Sequence, residues 1–326
     1  MRFIERSWDG WHPVTLLLLP LSGLFCLLVW LRRLAYRAGW LRSHRLGVPV
    51  IVVGNISVGG TGKTPLVVWL AQRLQQMGHS PGIILRGYGG TAANAPTEVT
   101  SASRAEEVGD EAVLLQRHCG CPVVVGRARV EAGRRLLASH DCDLIISDDG
   151  LQHYALRRDL EIVVIDGERR FGNGLCLPAG PLRELPGRLR RAGLVIVNGK
   201  GRGEEFSMQV EADQAVSLGG GEVRPLSAFA DRSVHAVAGI GHPERFFETL
   251  KTAGLQPECH PFPDHHPYRV DDLSSFSGET VLMTEKDAVK CEHYALPGLW
   301  YVPARARPDE GFQRAFDSKI ERLIDG

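Results

Sequence analysis

The distribution of hydrophobic and polar residues divides the chain into an apolar N-terminal stretch and a long region of short alternating elements. Residues 14–31 read VTLLLLPLSGLFCLLVWL and contain no charged side chain. At about 1.5 Å per residue, a helix of this length spans roughly 27 Å, enough to cross the hydrocarbon core of a bilayer. Pro20 and Gly23 would cost a soluble helix more than a membrane helix. The pattern predicts an N-terminal hydrophobic helix.

The flanking residues favour a membrane anchor. Residues 32–45 contain five arginines and no acid, which by the positive-inside tendency keeps the following region cytoplasmic. A cleaved signal peptide would be followed by small residues instead. A buried core helix, or two short interfacial helices separated at Pro20, remains an alternative. We predict that residues 1–45 form a membrane anchor with a basic flank, either spanning the bilayer or deeply embedded in its interface.

The remaining chain alternates short runs rich in Val and Ile with helix-like segments, which is typical of a mostly parallel sheet covered on both faces. The pattern restarts after a glycine-rich stretch. We therefore predict an α/β fold with a larger domain over residues 46–198, a linker over residues 199–221 and a smaller α/β lobe over residues 222–326. Predicted strands lie at residues 144–147, 161–166, 194–198 and 280–284, and predicted helices at residues 242–253 and 311–323.

A glycine-dense loop, VGNISVGGTGKTP at residues 53–65, joins the first predicted strand of the larger domain to a helix-like segment. This order is what a phosphate-binding P-loop requires, because glycines let backbone N–H groups surround a polyphosphate and the helix N-terminus favours negative charge. Lys63 would reach the β- and γ-phosphates, and the Thr64 hydroxyl would hold Mg²⁺. The loop predicts a P-loop NTPase-like domain that binds a nucleoside triphosphate through Ser57, Gly59, Gly60, Thr61, Gly62, Lys63 and Thr64, although Ser57 replaces the first glycine of the general motif.

Two pairs of carboxylates could serve a metal ion or an acid–base step. Asp148 and Asp149 follow the predicted strand at residues 144–147, where P-loop proteins place a second metal-binding acid. The sequence leaves open which aspartate lies nearer the metal, and an Asp-Asp-Gly turn would also explain both. Asp110 and Glu111 begin a predicted helix, where N-terminal capping is an equally good explanation.

Two further segments carry titratable or cationic groups in proline-bounded loops. The segment FPDHHPY contains His265 and His266, and histidine is a natural general base near neutral pH. The segment LPAGPLRE presents Arg183, whose guanidinium could bind phosphate in a bidentate manner or form a surface ion pair. The histidine segment could equally be a solvated loop.

Composition narrows the class of partner. Lysines plus arginines and aspartates plus glutamates number 38 each, so no charge imbalance points to nucleic acid, and none is predicted as a partner. The seven cysteines are scattered, which indicates reduced thiols and not a disulfide framework.

Taken together, the ordered segments VGNISVGGTGKTP, RGYGG, VGDEA, SDDGLQH, LPAGPLRE, FPDHHPY and TEKD resemble the tetraacyldisaccharide 4′-kinase family of lipid A biosynthesis. They extend from residue 53 to residue 287. The resemblance implies ATP- and Mg²⁺-dependent phosphorylation of the 4′-hydroxyl of an acylated glucosamine disaccharide lipid. It also implies that this occurs at the inner leaflet of a bacterial inner membrane, with the catalytic domains on the cytoplasmic face. No obligate protein partner is expected.

The resemblance also assigns roles to individual residues. Asp110 is similar to the family's catalytic aspartate, and His265 to its partner in a base dyad that would meet only when the cleft closes. Lys63 would neutralise phosphate charge during transfer. The magnesium-associated residues implied are Glu111 and Asp149, with Thr64 completing the shell. The position of Asp148 beside Asp149 makes it a further metal-shell or loop-positioning residue. The residues implied to line the nucleotide or substrate cleft are Gln152, Arg183 and Glu184.

Two other classes compete with this interpretation. A membrane-associated P-loop switch ATPase or GTPase that drives a protein partner is the main alternative. ATPases with deviant phosphate loops carry a lysine where Val58 stands, and the Asn-Lys-x-Asp pattern for guanine does not occur in the sequence. A soluble small-molecule kinase is the third class, but it would leave the apolar stretch at residues 14–31 unexplained.

Overall fold

The computed structural model describes residues 7–10, 12–91, 95–276, 278–294 and 296–324. The first six residues of the predicted anchor and the last two of the predicted second lobe therefore lie outside the described part. Within it, the chain forms two sheets covered by helices and an N-terminal apolar helix. The α/β class predicted from the alternation of strands and helices is confirmed.

Helix α1 (Pro13–Arg37) buries polar side chains and exposes apolar ones, the reverse of a soluble amphipathic helix. Its buried side chains are Thr15 and Ser22, whereas Leu17 is 78% exposed. The Ser22 hydroxyl donates a hydrogen bond of 2.8 Å to the Cys176 carbonyl, so the polar stripe faces the protein. Within the described residues, α1 is the one helix long and apolar enough to cross a bilayer. Its outward leucines suit an apolar surrounding.

In the described part of the chain the first sheet has nine strands, most of them parallel. The two edge strands, β15 (Arg305–Pro308) and β3 (Thr97–Val99), pair antiparallel with their neighbours. Strand β1 lies in the centre and is fully buried, which places the loop after it at the middle of the sheet's carboxyl edge. In spatial order the strands are β15 (Arg305–Pro308), β8 (Phe206–Glu211), β7 (Leu194–Asn198), β6 (Leu160–Asp166), β1 (Val50–Gly54), β5 (Leu144–Asp148), β2 (Pro81–Leu85), β4 (Val123–Val125) and β3 (Thr97–Val99).

Helices cover both faces of this sheet. Leu66, Leu70 and Leu74 of α2 lie four residues apart and are buried in one core layer, while Leu136 of α5 packs in the layer on the opposite face. The helices that follow the strands are α2 (Lys63–Gln76), α3 (Ala105–Val108), α4 (Asp110–Cys119) and α5 (Arg129–Ser139).

The second sheet has six strands, with its own two core layers. In spatial order the strands are β10 (Val223–Pro225), β9 (Gln214–Ser217), β14 (Leu299–Val302), β13 (Thr280–Thr284), β11 (Val234–Ala238) and β12 (Glu258–Pro261). Its helices are α6 (Pro243–Thr252), α7 (Val270–Ser274) and α8 (Glu285–Cys291). Among the described residues, short 3₁₀ helices lie at Ser7–Asp9, Pro186–Arg191, Leu226–Phe229 and Glu292–Tyr294.

The structure divides the chain differently from the predicted boundaries. The predicted linker at residues 199–221 contains β8 of the first sheet and β9 of the second. The end of the predicted second lobe returns to the first domain, because β15 joins the first sheet and helix α9 (Glu310–Ile324) packs on it. Phe312 and Phe316 of α9 are fully buried and contact the Trp69 ring. Alternation alone cannot assign a strand to a sheet, which explains the difference.

Ion pairs connect the two lobes around the cleft between them. Helix α4 faces α8, and the end of β6 faces α6. The pairs are Arg117–Glu292, His118–Glu285 at 2.6 Å, Lys286–Glu111 at 3.3 Å and Arg245–Asp166 at 2.8 Å. The carboxyl edges of the two sheets therefore face one another.

Candidate active site

The loop between β1 and α2 has the backbone shape that a phosphate site requires. Gly59 and Gly62 have φ angles of +102° and +86°, a region that favours glycine. The Asn55 side-chain amide lies 3.4 Å from the Gly59 carbonyl and 3.5 Å from the Thr61 hydroxyl, so it holds the loop from within. Gly59 and Gly60 are exposed at the N-terminus of α2. Their backbone can approach an anion closely.

Ser57 occupies a position that does not need glycine. It forms a β-bridge with Leu182, and the next residue, Val58, donates a backbone hydrogen bond of 2.9 Å to the Pro181 carbonyl. The segment that delivers Arg183 is thus attached directly to the phosphate loop. This pairing accounts for the departure of Ser57 from the general motif.

Lys63, Asp149 and Arg183 meet beside this loop. The Lys63 ammonium lies 3.6 Å from the Asp149 carboxylate, and the Arg183 guanidinium donates to the same carboxylate at 3.1 Å. Burial opposes ionisation of Asp149, but the two cations overcome it and lower its pKa to about 2. Asp149 is therefore an anion at neutral pH, in contact with the lysine predicted to bind phosphate.

Asp148, the last residue of β5, is buried, and its Oδ1 atom has no hydrogen-bond partner in the described structure. Burial, followed by the nearby charge of Glu111, raises its pKa to about 7. The buried Arg129 donates to the Gly126 carbonyl at 2.8 Å and to the Asp148 backbone carbonyl at 3.4 Å. It is close enough to both aspartates for their charges to act on it. Burial lowers the pKa of Arg129 to about 10. An unsatisfied buried carboxylate oxygen is what a bound cation would compensate.

The donor set around Asp148 fits Mg²⁺. Carboxylates from Asp148, Asp149 and Glu111, with the Thr64 hydroxyl at the start of α2, offer the hard oxygen ligands that this ion prefers. The charges of Glu111 and Asp149 both act on Asp148, and the role of these four residues as magnesium ligands stays a prediction.

Asp110 and His265 are in direct contact across the two lobes. Asp110 begins α4 and is 4% exposed, and its Oδ2 atom lies 2.9 Å from Nδ1 of His265. Burial opposes ionisation of Asp110, but the hydrogen bond from His265 and the charge of Lys286 lower its pKa. The His265 backbone has φ of +57°, and its N–H donates to the Gly239 carbonyl at 3.1 Å. The two residues, expected to meet only on closure, are already paired here.

This contact determines the tautomer of the histidine. An ionised Asp110 accepts a hydrogen bond, so Nδ1 of His265 carries the proton and Nε2 is left with a lone pair. His265 is more exposed than Asp110. The geometry therefore presents Nε2 as the basic atom and places the carboxylate behind the ring.

Lys286 is a site residue to which the sequence analysis assigned no role. Its ammonium donates to Glu111 at 3.3 Å and lies 3.4 Å from Nε2 of His265. Burial opposes its charge, but Glu111, Asp110 and Asp264 outweigh that effect and raise its pKa. Its place in the TEKD segment, directly after β13, was the available signal, since ligand sites lie at the carboxyl ends of parallel strands.

The buried Glu184 and the half-buried Gln152 form a hydrogen-bond network next to the phosphate loop. Gln152 donates to the Asn55 carbonyl at 3.1 Å and to Glu184 at 3.0 Å, and the Tyr154 hydroxyl donates to Glu184 at 2.7 Å. The guanidinium of Arg33 on α1 lies 3.9 Å from Glu184. These residues connect the phosphate loop to α1, and the predicted lining role of Gln152, Arg183 and Glu184 stays a prediction.

A second contact that the sequence analysis missed covers the tip of the loop. Arg169 follows β6, and His242 precedes α6 of the second lobe; Arg169 Nη1 lies 2.8 Å from His242 Nε2. A Cβ atom on Gly59 would lie 2.9 Å from His242 Nε2 and 3.1 Å from Arg169 Nη1. The phosphate loop is thus part of the interface between the lobes.

The site defines a P-loop protein: a glycine loop lies at the tip of a central parallel strand, a lysine begins the next helix, and carboxylates lie beside it. The same cleft holds a hydrogen-bonded Asp–His pair. The signature of the family described as "Tetraacyldisaccharide-1-P 4′-kinase" matches residues 14–321. The chain belongs to this family, as the ordered motifs predicted.

Curated relatives and a solved structure agree with this membership. A tetraacyldisaccharide 4′-kinase of Nitrosococcus oceani is 54% identical over 98% of this chain and 94% of its own length. One from Methylobacillus flagellatus is 50% identical over 99% of this chain and 97% of its own length. The crystal structure of LpxK from Aquifex aeolicus in complex with ATP superposes with a TM-score of 0.79 at 30% identity, covering 95% of this chain and 99% of that one.

Proposed function

We propose that the protein transfers the γ-phosphoryl group of ATP to the 4′-hydroxyl of an acylated glucosamine disaccharide 1-phosphate at a membrane surface. Family membership and the ATP in the Aquifex aeolicus structure support the donor and the acceptor. The observation that carries the proposal for this chain is the Asp110–His265 pair, held at 2.9 Å between the lobes that also hold Lys63 and Lys286.

The proposed acid–base step uses His265. A sugar hydroxyl has a pKa far above neutrality, so its proton must leave as the oxygen attacks phosphorus. His265 Nε2 accepts that proton while the new O–P bond forms and the bond from the γ-phosphorus to the oxygen of the departing ADP breaks. Asp110 holds the ring through Nδ1 and stabilises the imidazolium that results.

Charge neutralisation accounts for most of the remaining catalysis in phosphoryl transfer. Lys63 and the backbone N–H groups of the phosphate loop surround the triphosphate, and Lys286 adds a second cation beside His265. Mg²⁺, held by Thr64, Asp148, Asp149 and Glu111, would supply further neutralisation of the phosphate charge when bound.

Helix α1 supports a lipid acceptor. Its apolar side chains point outwards, and a groove beside it is lined by Trp30, Leu34 and three arginines: Arg33, Arg37 and Arg191. A surface that joins exposed leucines to arginines suits a molecule with acyl chains and a phosphate. We infer that the protein is bound to the inner leaflet of the bacterial inner membrane, with both lobes on the cytoplasmic side.

The experiment is phosphate transfer by the full-length protein in detergent micelles. Tetraacyldisaccharide 1-phosphate, ATP and Mg²⁺ should yield a lipid heavier by one phosphate, with the new ester at the 4′ position. Lys63→Ala should abolish transfer, and the matched control His266→Gln should retain it. ATP hydrolysis without lipid phosphorylation, in a sample that binds the lipid, would contradict the proposal.

A further inference from the structure

Three potential metal ligands meet on the second sheet, away from the catalytic cleft. His235 of β11 is in register with Glu258 of the neighbouring parallel strand β12, and His260 lies two residues further on the same face of β12. His235 Nδ1 lies 3.1 Å from His260 Nε2 and 3.5 Å from a Glu258 carboxylate oxygen. The three ligand atoms all lie within 4.8 Å of one another. Two imidazoles and one carboxylate therefore converge on one point.

A fourth residue orients the buried imidazole. The Glu279 carboxylate lies 2.6 Å from Nε2 of His235. Both ring nitrogens face a carboxylate, but only Nε2 lies at hydrogen-bond distance of one, since Glu258 is 3.5 Å from Nδ1. Nε2 therefore donates to Glu279, which leaves the Nδ1 lone pair facing His260 and Glu258. A carboxylate behind a ligand histidine is a recurrent feature of metal sites, where it fixes the tautomer and increases basicity. The Phe276 ring, with centroids 4.7 Å from each imidazole, holds both rings in place.

We propose that His235 Nδ1, His260 Nε2 and the Glu258 carboxylate bind one Zn²⁺ ion. Zinc–ligand bonds of about 2.0–2.1 Å in a tetrahedron separate the ligand atoms by roughly 3.3 Å. The two imidazole nitrogens lie 3.1 Å apart. The Glu258 carboxylate approaches His235 Nδ1 at 3.5 Å through Oε2 and His260 Nε2 at 3.8 Å through Oε1, so small side-chain shifts bring one ligand atom of each residue to this spacing. Imidazole ligands favour zinc over magnesium, which prefers oxygen. Water would complete the coordination, and binding would displace the proton that the two histidines share.

The site is separate from the catalytic cleft. His235 lies near the amino end of β11, whereas Gly239, which binds the His265 backbone, follows the carboxyl end of the same strand. Four residues of extended strand separate the two ends by about 13 Å. Strand β12 is an edge of the second sheet. A bound zinc ion would tie this edge strand to β11, which indicates a structural role for the metal.

Cobalt absorption tests the proposal on the full-length protein without an affinity tag. Chelator-treated protein is titrated with Co²⁺ in excess Mg²⁺, so that the oxygen-rich carboxylate site is occupied. The expected result is one Co²⁺ per chain with the intense visible bands of a four-coordinate site, displaced by one equivalent of Zn²⁺. Zinc should also raise the midpoint of thermal unfolding, since a ligand that binds the folded state stabilises it.

Variants identify the ligands. His260→Gln and the exposed Glu258→Gln should each weaken binding at least 100-fold, and Glu279→Gln should weaken it about 10- to 100-fold. His79→Gln is the matched control, because His79 also pairs with one carboxylate, Asp143, at 3.0 Å. Absence of the cobalt bands in the folded wild type, or bands unchanged in both His260→Gln and Glu258→Gln, would overturn the proposal. A merely structural His235–His260 hydrogen bond would give the first of these results.

Discussion

The contact between Asp110 and His265 predicts how their substitutions combine. If Asp110 acts only through His265, removing both side chains should cost little more than removing the histidine alone, because residues that act as a unit are not additive. The variants are His265→Gln, Asp110→Asn and the double variant. The control is His266→Gln, since this neighbour is hydrogen-bonded to Asp272 at 3.0 Å and not to Asp110.

The magnitudes follow from the geometry. Loss of a positioned base costs about 10²- to 10⁴-fold in rate, which is the range expected for His265→Gln. The 2.9 Å hydrogen bond joins an ionised carboxylate to the imidazole. Such a bond contributes about 1.5–3 kcal/mol, so Asp110→Asn should lower kcat about 10- to 150-fold. An amide can also donate to Nδ1, which would place the proton on the wrong nitrogen.

The assay is the initial rate of phosphate transfer to lipid at saturating ATP, with ATP affinity and circular dichroism measured for each variant. We expect unchanged ATP affinity in all variants, near wild-type rates for His266→Gln, and a double variant close to His265→Gln. A double variant whose loss is the product of the two single losses would refute the dependence of Asp110 on His265. A His266→Gln variant as slow as His265→Gln would refute the assignment of the base.

Three further predictions concern the phosphate loop, the buried aspartate and the C-terminal helix. Gly59→Ala should destabilise the nucleotide-free protein by about 1–3 kcal/mol in urea unfolding, because Gly59 has a positive φ and the added Cβ would lie 2.9 Å from Nε2 of His242 in the second lobe. Gly60→Ala is the control: its added Cβ would meet no atom within 4 Å, so stability should change by less than about 0.5 kcal/mol. Because the pKa of Asp148 is raised from 3.8 to about 7, its contribution to stability is present at low pH and lost as the pH rises towards 7. Without metal, the free energy of unfolding of Asp148→Asn minus that of the wild type, measured by urea unfolding, should therefore increase between pH 5 and pH 7 by at most about 1.4 kcal/mol per pH unit. A difference that decreases as the pH rises would contradict this prediction. Phe316→Ala should lower the free energy of unfolding by about 3–5 kcal/mol and weaken ATP binding, since this buried ring packs in the core of the first domain. Ile324→Ala is the control, because Ile324 is 43% exposed and its loss should be nearly neutral. Equal urea midpoints for the two variants would contradict the placement of α9.

Features that depend on short-range patterns are predictable from the amino-acid sequence. The apolar run at residues 14–31 predicts α1 because helix length and hydrophobicity are local properties. The glycines at residues 59–62 and the flanking strand and helix predict the phosphate loop for the same reason. The alternation of strands and helices was sufficient for the α/β class. The order of the motifs was sufficient for the family.

The contacts between distant segments depend on how the two sheets and their helices pack. Asp110 and His265 are 155 residues apart, and their contact depends on how the two sheets face one another. Strand β15 and helix α9 return to the first domain because α9 buries its phenylalanines against Trp69, a choice that no local periodicity expresses. Lys286 lies between acids of both lobes, Glu111 at 3.3 Å and Asp264 at 4.0 Å. Helices and strands depend mainly on residues a few positions apart in the sequence. These contacts instead arise when apolar faces of helices and sheets are buried against one another, and the partner of each face can lie anywhere in the chain.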